Sequence, residues 1–411
     1  MYYYDDPSGI STPPTRPSAA SQTHPTDGNP ATQSPPSILP AWFVDMLTNE
    51  LLAVLTAAGI SPNKTNDGQL AAAITALATG SAAVNNDNLL VNGAFGVNQR
   101  GRSSVTDTQY DFDRWYALLQ TAAVAPSQLT DPENGAATGS RYTQSQATAQ
   151  RMGRAQVLES VGCRFLRGKS VTFSGRARMS ASTNLRYAIC EWTGTADAVT
   201  RDLVNDWTSG TYTGGNFFVS SNVNVLAVGS LALTANTWAP FTLTATCGFS
   251  MNNLFVFVWS ESTQAQNVTL DLDNCKLEPG ASATTFRPRA TAQELVLCRR
   301  YYDMSFPQGT APAQNQAAGG ITTCQFVAGA NSNNFASNIR FRQPMRTSPT
   351  ITLYNPYAAN AQAHDASSGA DCSSTSAFGV SSEAFLVGYI GAAGGQQGDI
   401  IAIQYTADAE L

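Results

Sequence analysis

The chain has 411 residues, a net charge of −6 and only 13% charged side chains, against 43% hydrophobic. That length suits two or three domains, and the low charge leaves Asn, Gln, Ser, Thr and Gly to supply the polarity, as on broad β-sheet surfaces. A pI near 5.0 with no concentrated basic stretch argues against nucleic acid as a partner, and two histidines, His24 and His364, leave little for neutral-pH proton transfer.

The seven cysteines (Cys163, Cys190, Cys247, Cys275, Cys298, Cys324 and Cys372) include no C-x-x-C pair. They read as buried, reduced thiols of a protein made in a reducing cytoplasm, not as a zinc site or a disulfide frame. The first residues show no basic and apolar leader, and no stretch is long enough to span a membrane, so neither export nor membrane insertion is expected.

Residues 1–40 carry Pro7, Pro13, Pro14, Pro17, Pro25, Pro30, Pro35, Pro36 and Pro40 among Ser and Thr. Such a segment buries too little to offset its ordering entropy and is expected to be extended, an inert tail or a tether laid along a partner, with Tyr2, Tyr3 and Tyr4 as a sticky end. Ala41–Ala58 follows helical spacing through Trp42, Met46, Leu47, Leu51, Val54 and Leu55, and Gly59 supplies the stop. Asp67 can cap a second helix, Gly68 to about Ala78, with Leu70, Ile74 and Leu77 as its stripe. A hairpin this small, with this much apolar surface, is expected to pack against copies of itself or another subunit.

From Asn88 the period changes to two. Val171–Gly175, Phe241–Thr246, Leu254–Trp259 and Val268–Leu272 alternate between Gly, Asn and Ser turns, as in an antiparallel sandwich over 88–288. Leu254–Trp259 is apolar enough for a central strand covered on both faces. Thr291-Ala-Gln-Glu294 reads as a capping box opening a short linking helix within 289–303. The remainder, 304–411, returns to strands at Ser337–Phe341, Thr350–Tyr354, Phe385–Ile390 and Asp399–Tyr405. Ala358–Ser376 is expected as a long exposed loop, and Gly391–Gly398 as a hairpin connection.

Several segments resemble bacteriophage and prophage tail fibre proteins. Asn88-Leu-Leu-Val-Asn-Gly-Ala-Phe-Gly-Val-Asn-Gln-Arg-Gly101 is similar to the opening strand of their jelly roll, and Asp113-Arg114-Trp115 to the element that follows it. Lys276–Arg289 and Glu294–Tyr302 resemble the module-closing signature. The hairpin at 41–78, with Gly59–Thr65, and Pro344-Met345-Arg346 before Pro349–Leu353 resemble further elements of these fibres. The resemblance implies a mainly β protein: an extended virion-attachment segment (1–40), a helix hairpin for trimerisation or docking (41–80), a carbohydrate-binding-module-like jelly roll (88–288), a linking helix (289–303) and a smaller C-terminal β domain (304–411). It further implies a homotrimer on the phage tail or baseplate, facing bacterial surface polysaccharide or another receptor, or else serving as an adaptor that binds no sugar. The docking residues would be Trp42, Met46, Leu47, Leu51, Leu55, Leu70, Ile74 and Leu77.

The candidate chemistry is sparse. Asp111/Asp113 and Asp271/Asp273 stand at i, i+2, and such carboxylates serve a glycosidase as acid and base, ligate Ca²⁺, or remain solvated or paired with Arg114 and Lys276. Related sugar-binding jelly rolls hold a structural Ca²⁺, to which the resemblance would assign Asp113 or Asp273. Trp115 and Tyr116, beside Phe112, are core anchors, with a sugar-stacking platform as the other reading. His364, Asp365 and Asp371 fall in the predicted exposed loop, where a metal site is the weaker alternative. Arg287, Arg289, Arg299 and Arg300 are expected in salt bridges to Asp303, Glu278 or a neighbouring chain. No catalytic residue and no further cofactor is expected.

Overall fold

A computed structural model of the chain describes residues 11–15, 27–37, 39–82, 88–130, 132, 136–317, 319–325, 332–335 and 338–411. Tyr2, Tyr3, Tyr4 and His24 lie outside them. The fold is mainly β, as the alternating patterns predict, and it divides into two units, Met1–Asn86 and Asp87–Leu411.

In the first unit, helices α1 (Ala41–Ala57) and α2 (Gln69–Ala82) form the expected hairpin. Gly59 ends α1 at φ +69°, a backbone state that costs glycine little. The turn is held by Gln69, which accepts from Asn63 N at 3.0 Å and donates to Ser61 O at 2.8 Å. Leu52, Leu55 and Ala73 fill the contact between the helices. The predicted stripe is therefore rotated: Leu52 is not part of it, and Leu47 and Ile74 lie on the surface, as does Val44. Trp42, Met46, Leu51, Leu70 and Leu77 are half-buried.

The second unit opens with a sandwich of two antiparallel five-stranded sheets. Its strands are β1 (Tyr116–Leu119), β2 (Val124–Thr130), β3 (Thr138–Gln144), β4 (Met152–Leu158), β5 (Ser170–Met179), β6 (Thr183–Trp192), β7 (Val223–Leu233), β8 (Ala239–Thr246), β9 (Asn253–Ser260) and β10 (Thr269–Pro279). The orders are β1-β4-β9-β6-β7 and β2-β3-β10-β5-β8. Leu254, Val256 and Val258 point between the sheets with Phe173, Leu185, Ile189, Leu270 and Leu272. Phe255, Phe257 and Trp259 point outward from the first sheet, where the 193–222 connection covers them with Leu203, Val204, Phe217 and Phe218. That double cover is why β9 is apolar at almost every position.

The segment 88–101, expected as an opening strand, is not one. Asn92 and Phe95 take positive φ of 60° and 55°, and Asn92 serves its own turn, donating to Val97 O and accepting from Val97 N. The segment is tied to β10 by Leu89 N to Leu277 O and Cys275 N to Gly93 O. Two short elements follow in chain order, helical turn α3 (Ser160–Cys163), within the sandwich, and linking helix α4 (Thr291–Arg299) after it. The expected capping box does not form: Ala290 is the N-cap, and Glu294 instead accepts from Asn92 N at 2.5 Å and pairs with Arg289.

The rest gathers around two long strands, β19 (Ala384–Ile390) and β20 (Ile400–Asp408). With β20 pair β11 (Tyr302–Met304), β12 (Thr322–Gln325), β15 (Thr350–Tyr354) and β16 (His364–Asp365), which also pairs with β17 (Ala370–Asp371). With β19 pair β13 (Asn333–Phe335), β14 (Ile339–Arg340) and β18 (Ser373–Phe378). The connection 391–399 thus crosses between sheets and is not the predicted hairpin. Ala358–Ser376 is no open loop either: it contributes β16, β17 and part of β18, and Ala363 and Cys372 are buried in the local core. Small side chains that resemble loop composition are here what allows close packing.

Candidate functional site

The residues of the recognised motifs converge on one buried junction. Asp113 accepts from Gln99 N at 2.7 Å and Gln99 Nε2 at 2.6 Å, and the same Nε2 donates to Tyr302 O at 2.8 Å. Arg100 reaches Asp408 at 3.4 Å and Glu410 at 3.3 Å, with its guanidinium 3.8 Å from the centre of the Tyr302 ring. Arg114 pairs with Glu410, lies 3.7 Å over Tyr301 and donates to Val157 O. Tyr110 donates to Leu411 O at 3.1 Å. Burial pushes Asp113 above the ordinary carboxylate range, against the pull of Arg100 and the Gln99 hydrogen bonds. The motifs therefore clamp the end of β20 onto the sandwich.

Trp115 and Tyr116 are fully buried; the indole donates to Asn92 O at 3.0 Å and the phenol to Arg201 O at 3.1 Å. Both rings lie in the core with no exposed face.

Asp271 and Asp273 leave β10 on the outward side of their sheet, into cross-strand arginines. Asp271 takes Arg141 at 2.7 Å and Arg178 at 2.8 Å, its register neighbours on β3 and β5, and Asp273 takes Arg176 at 3.3 Å. Asp111 takes buried Arg154 at 2.5 Å. The predicted partners Arg114 and Lys276 go instead to Glu410 and Glu278. Asp113 and Asp273 thus belong to separate networks, and no cluster of three or more His, Cys, Asp or Glu able to hold a metal occurs among the described residues. His364 Nδ1 meets Asp371 Oδ1 at 2.6 Å, within a set completed by Asn355 and Asn360. Arg289, Arg299 and Arg300 bridge to Glu294, Asp303 and Glu159, and Arg287 is exposed.

Cys163, Cys190, Cys247, Cys275 and Cys298 are buried thiols. Burial pushes Cys163 up to about 12 and Cys247 to about 11, which keeps both protonated and poorly nucleophilic at neutral pH.

A candidate groove lies elsewhere. Beside edge strand β7, an open groove of about 610 Å³ is lined by Tyr212, Thr213, Gly214, Ser220, Val223, Asn224, Val225, Ala227 and Val228, within the size range of small-ligand sites. Tyr212 is fixed on its inner side, its ring against Phe217 and Trp259 at 5.2 and 5.8 Å, its hydroxyl 3.0 Å from Glu261 Oε1. The Arg186 guanidinium, paired with Glu261, lies 4.5 Å from the ring centre. Burial opposes the Glu261 charge, but the bonds from Arg186 and Tyr212 outweigh it and hold the carboxyl below its ordinary value. Asn224 is oriented by its 3.1 Å bond to buried Glu191. A ring, hydroxyls and an amide on a rigid wall suit a polyhydroxylated ligand. The sequence reading missed this site. Its signal was the run Tyr212-Thr-Gly-Gly-Asn-Phe-Phe218, in which aromatic residues interrupt a turn-forming composition.

Fold and groove together define a mainly β protein built on a two-sheet sandwich. No family model and no curated protein matches the chain. Among solved structures it is similar to the enzymatically active domain of tailspike protein 4 of Bacteriophage CBA120 (13% identity, TM-score 0.29, covering 47% of this chain and 21% of that one). It is also similar to TmCBM61 in complex with β-1,4-galactotriose (10%, 0.29, 47% and 100%) and to the CBM22-1–GH10 modules of Clostridium thermocellum xylanase 10B (11%, 0.29, 49% and 30%). The chain thus spans 21% of the length of the tailspike domain, 30% of that of the xylanase modules, and the whole of the galactotriose-binding module.

Proposed function

We propose that this chain is a bacteriophage tail fibre subunit, made in the host cytoplasm and carried on the virion. Its N-terminal segment and hairpin attach to the tail or baseplate, and its sandwich meets polysaccharide on the bacterial surface. The observation that carries the reading is the Tyr212 groove: the outer face of that sheet is sealed by its own aromatic connection, and at its edge a ring and hydroxyl-rich wall remain open to a sugar chain. The reading assigns binding and no catalysis, since the paired aspartates are engaged by arginine or by hydrogen-bonding side chains. Three copies on one stalk would turn weak single contacts into useful avidity.

The test is adsorption of the purified protein to host cells with and without surface polysaccharide. Binding should require the polysaccharide and fall several-fold in Tyr212→Ala; equal binding to stripped cells would overturn it. A second reading, an adaptor without receptor contact, is favoured by the exposed Val44, Leu47 and Ile74 of the hairpin. It predicts particles that lose a fibre when the protein is absent, and a purified protein that ignores cells.

A further inference from the structure

At one end of the sandwich, two neighbouring turns place large apolar side chains in water. Val161 is 73% exposed, Phe165 52% and Phe249 83%. Isolated exposed apolar residues are ordinary, but these three come from turns bonded to each other. The turns are joined through Gly168 N to Cys247 O and Cys247 N to Lys169 O, both 3.0 Å. Both are rigid. Ser160 N and Oγ each donate to Asp197 at 2.7 Å, fixing the start of α3. Arg167 Nε donates to Met251 O at 2.6 Å, and Arg164 and Arg167 both reach Asn252 Oδ1. The Phe249 ring edge packs over Gly168 (φ +70°), where a Cβ would come within 2.6 Å of it. The glycine is needed both for the turn and for the ring.

The charged side chains within these two turns are all basic. Residues 160–170 and 247–252 contain Arg164, Arg167 and Lys169 and no acid, in a chain of net charge −6. Lys169 Nζ lies 5.9 Å from the Phe165 ring centre. Three acids border the turns: Asp197 accepts from Ser160 and Asn253, Glu191 from Gly248 N and Asn224, and Glu159 is paired with Arg300 and accepts from Tyr301. Exposed rings stack on the C–H faces of sugars, and guanidinium and ammonium groups pair with carboxylate or phosphate. We infer that this end of the sandwich, Phe165 and Phe249 with Arg164, Arg167 and Lys169, is a second binding surface, for an acidic polysaccharide. The surface rests on the receptor-binding reading above for its biological setting, but its chemistry is independent of the groove.

Immobilised polygalacturonate, a phosphorylated mannan and neutral dextran test the surface, with phosphatidylglycerol vesicles as a separate arm. The full chain should bind at least one acidic polymer and not dextran, and retention should fall as salt rises because the cations are exposed. Phe249→Ser and Lys169→Glu, both at solvent-facing positions, should each weaken retention several-fold while leaving the melting temperature in place. Tyr212→Ala should leave it unchanged. Equal binding to dextran, binding to vesicles alone, no binding to any polymer, or variants that bind as tightly as the parent would each overturn the inference. If the acidic polymers bind as described while host cells are ignored, the receptor reading fails and the surface stands. If host cells bind through the groove and Phe249→Ser changes nothing, the reverse holds.

Discussion

Asp273 keeps its carboxyl beneath Arg176 and Arg178, with Oδ1 buried and lacking a hydrogen-bond partner. Burial dominates the arginines and pushes the group up to about 6 from an ordinary 3.8. The sign follows from proton counting: between pH 4 and 6 the folded chain holds a proton that the unfolded chain has released, so this residue's contribution to stability is present at pH 4 and is lost as pH rises through 6. Asp273→Asn removes that titration. The variant should melt with the parent near pH 4 and above it at pH 7, by calorimetry; an advantage that shrinks as pH rises would refute the assignment. Its neighbour Asp271, held bidentately by Arg141 and again by Arg178, shows what an i, i+2 carboxylate pair can hide. The spacing was legible in the sequence, but the partners came from β3 and β5, and no local pattern names a cross-strand neighbour.

Elements were legible where one face decides the pattern. β9 was readable because its two-sided burial leaves an apolar run, and α1 because its period is helical. The rotation of the hairpin contact was not readable, since apolar residues surround α1 and only tertiary packing selects Leu52 over Leu47. Leu52→Ala should therefore lower hairpin stability by about 2–5 kcal/mol, seen as early loss of helical signal on heating. Leu47→Ala and Ile74→Ser, at surface positions, should leave the isolated chain within about 0.5 kcal/mol and, in the trimeric reading, lower its self-association by light scattering. Unchanged association in both would separate the hairpin from assembly. Segment 88–101 failed as a strand for a related reason: Asn88 and Asn92 side chains take bonds that a strand would give its neighbour. The groove stayed hidden because the 193–222 connection has loop composition, and only its packing on Phe257 and Trp259 makes it a wall.

At the scale of the whole molecule, the sequence divides 88–288 from 304–411, yet the structure makes Asp87–Leu411 one compact unit. The seam is polar. Glu410, almost fully buried, stands between Arg100 and Arg114, and Arg346 donates to Ala409 O at 2.8 Å and Glu410 O at 3.0 Å. A buried ion pair adds little net stability once desolvation is counted, but removing one member leaves the other charge uncompensated. Glu410→Gln leaves buried Arg114 without the carboxylate it pairs with, while Arg100 keeps Asp408 and Asp113, and should cost about 3–5 kcal/mol, whereas Asp408→Asn, whose side chain is 47% exposed at 3.4 Å from Arg100, should cost no more than about 1 kcal/mol. Calorimetry distinguishes the outcomes. The parent β unit should melt in one transition, because the end of β20 is shared by both halves. Glu410→Gln should release the second half at a lower temperature and split that transition. Two transitions already present in the parent would mean that the seam does not couple the halves, and that the motif residues gathered there only cap the sandwich.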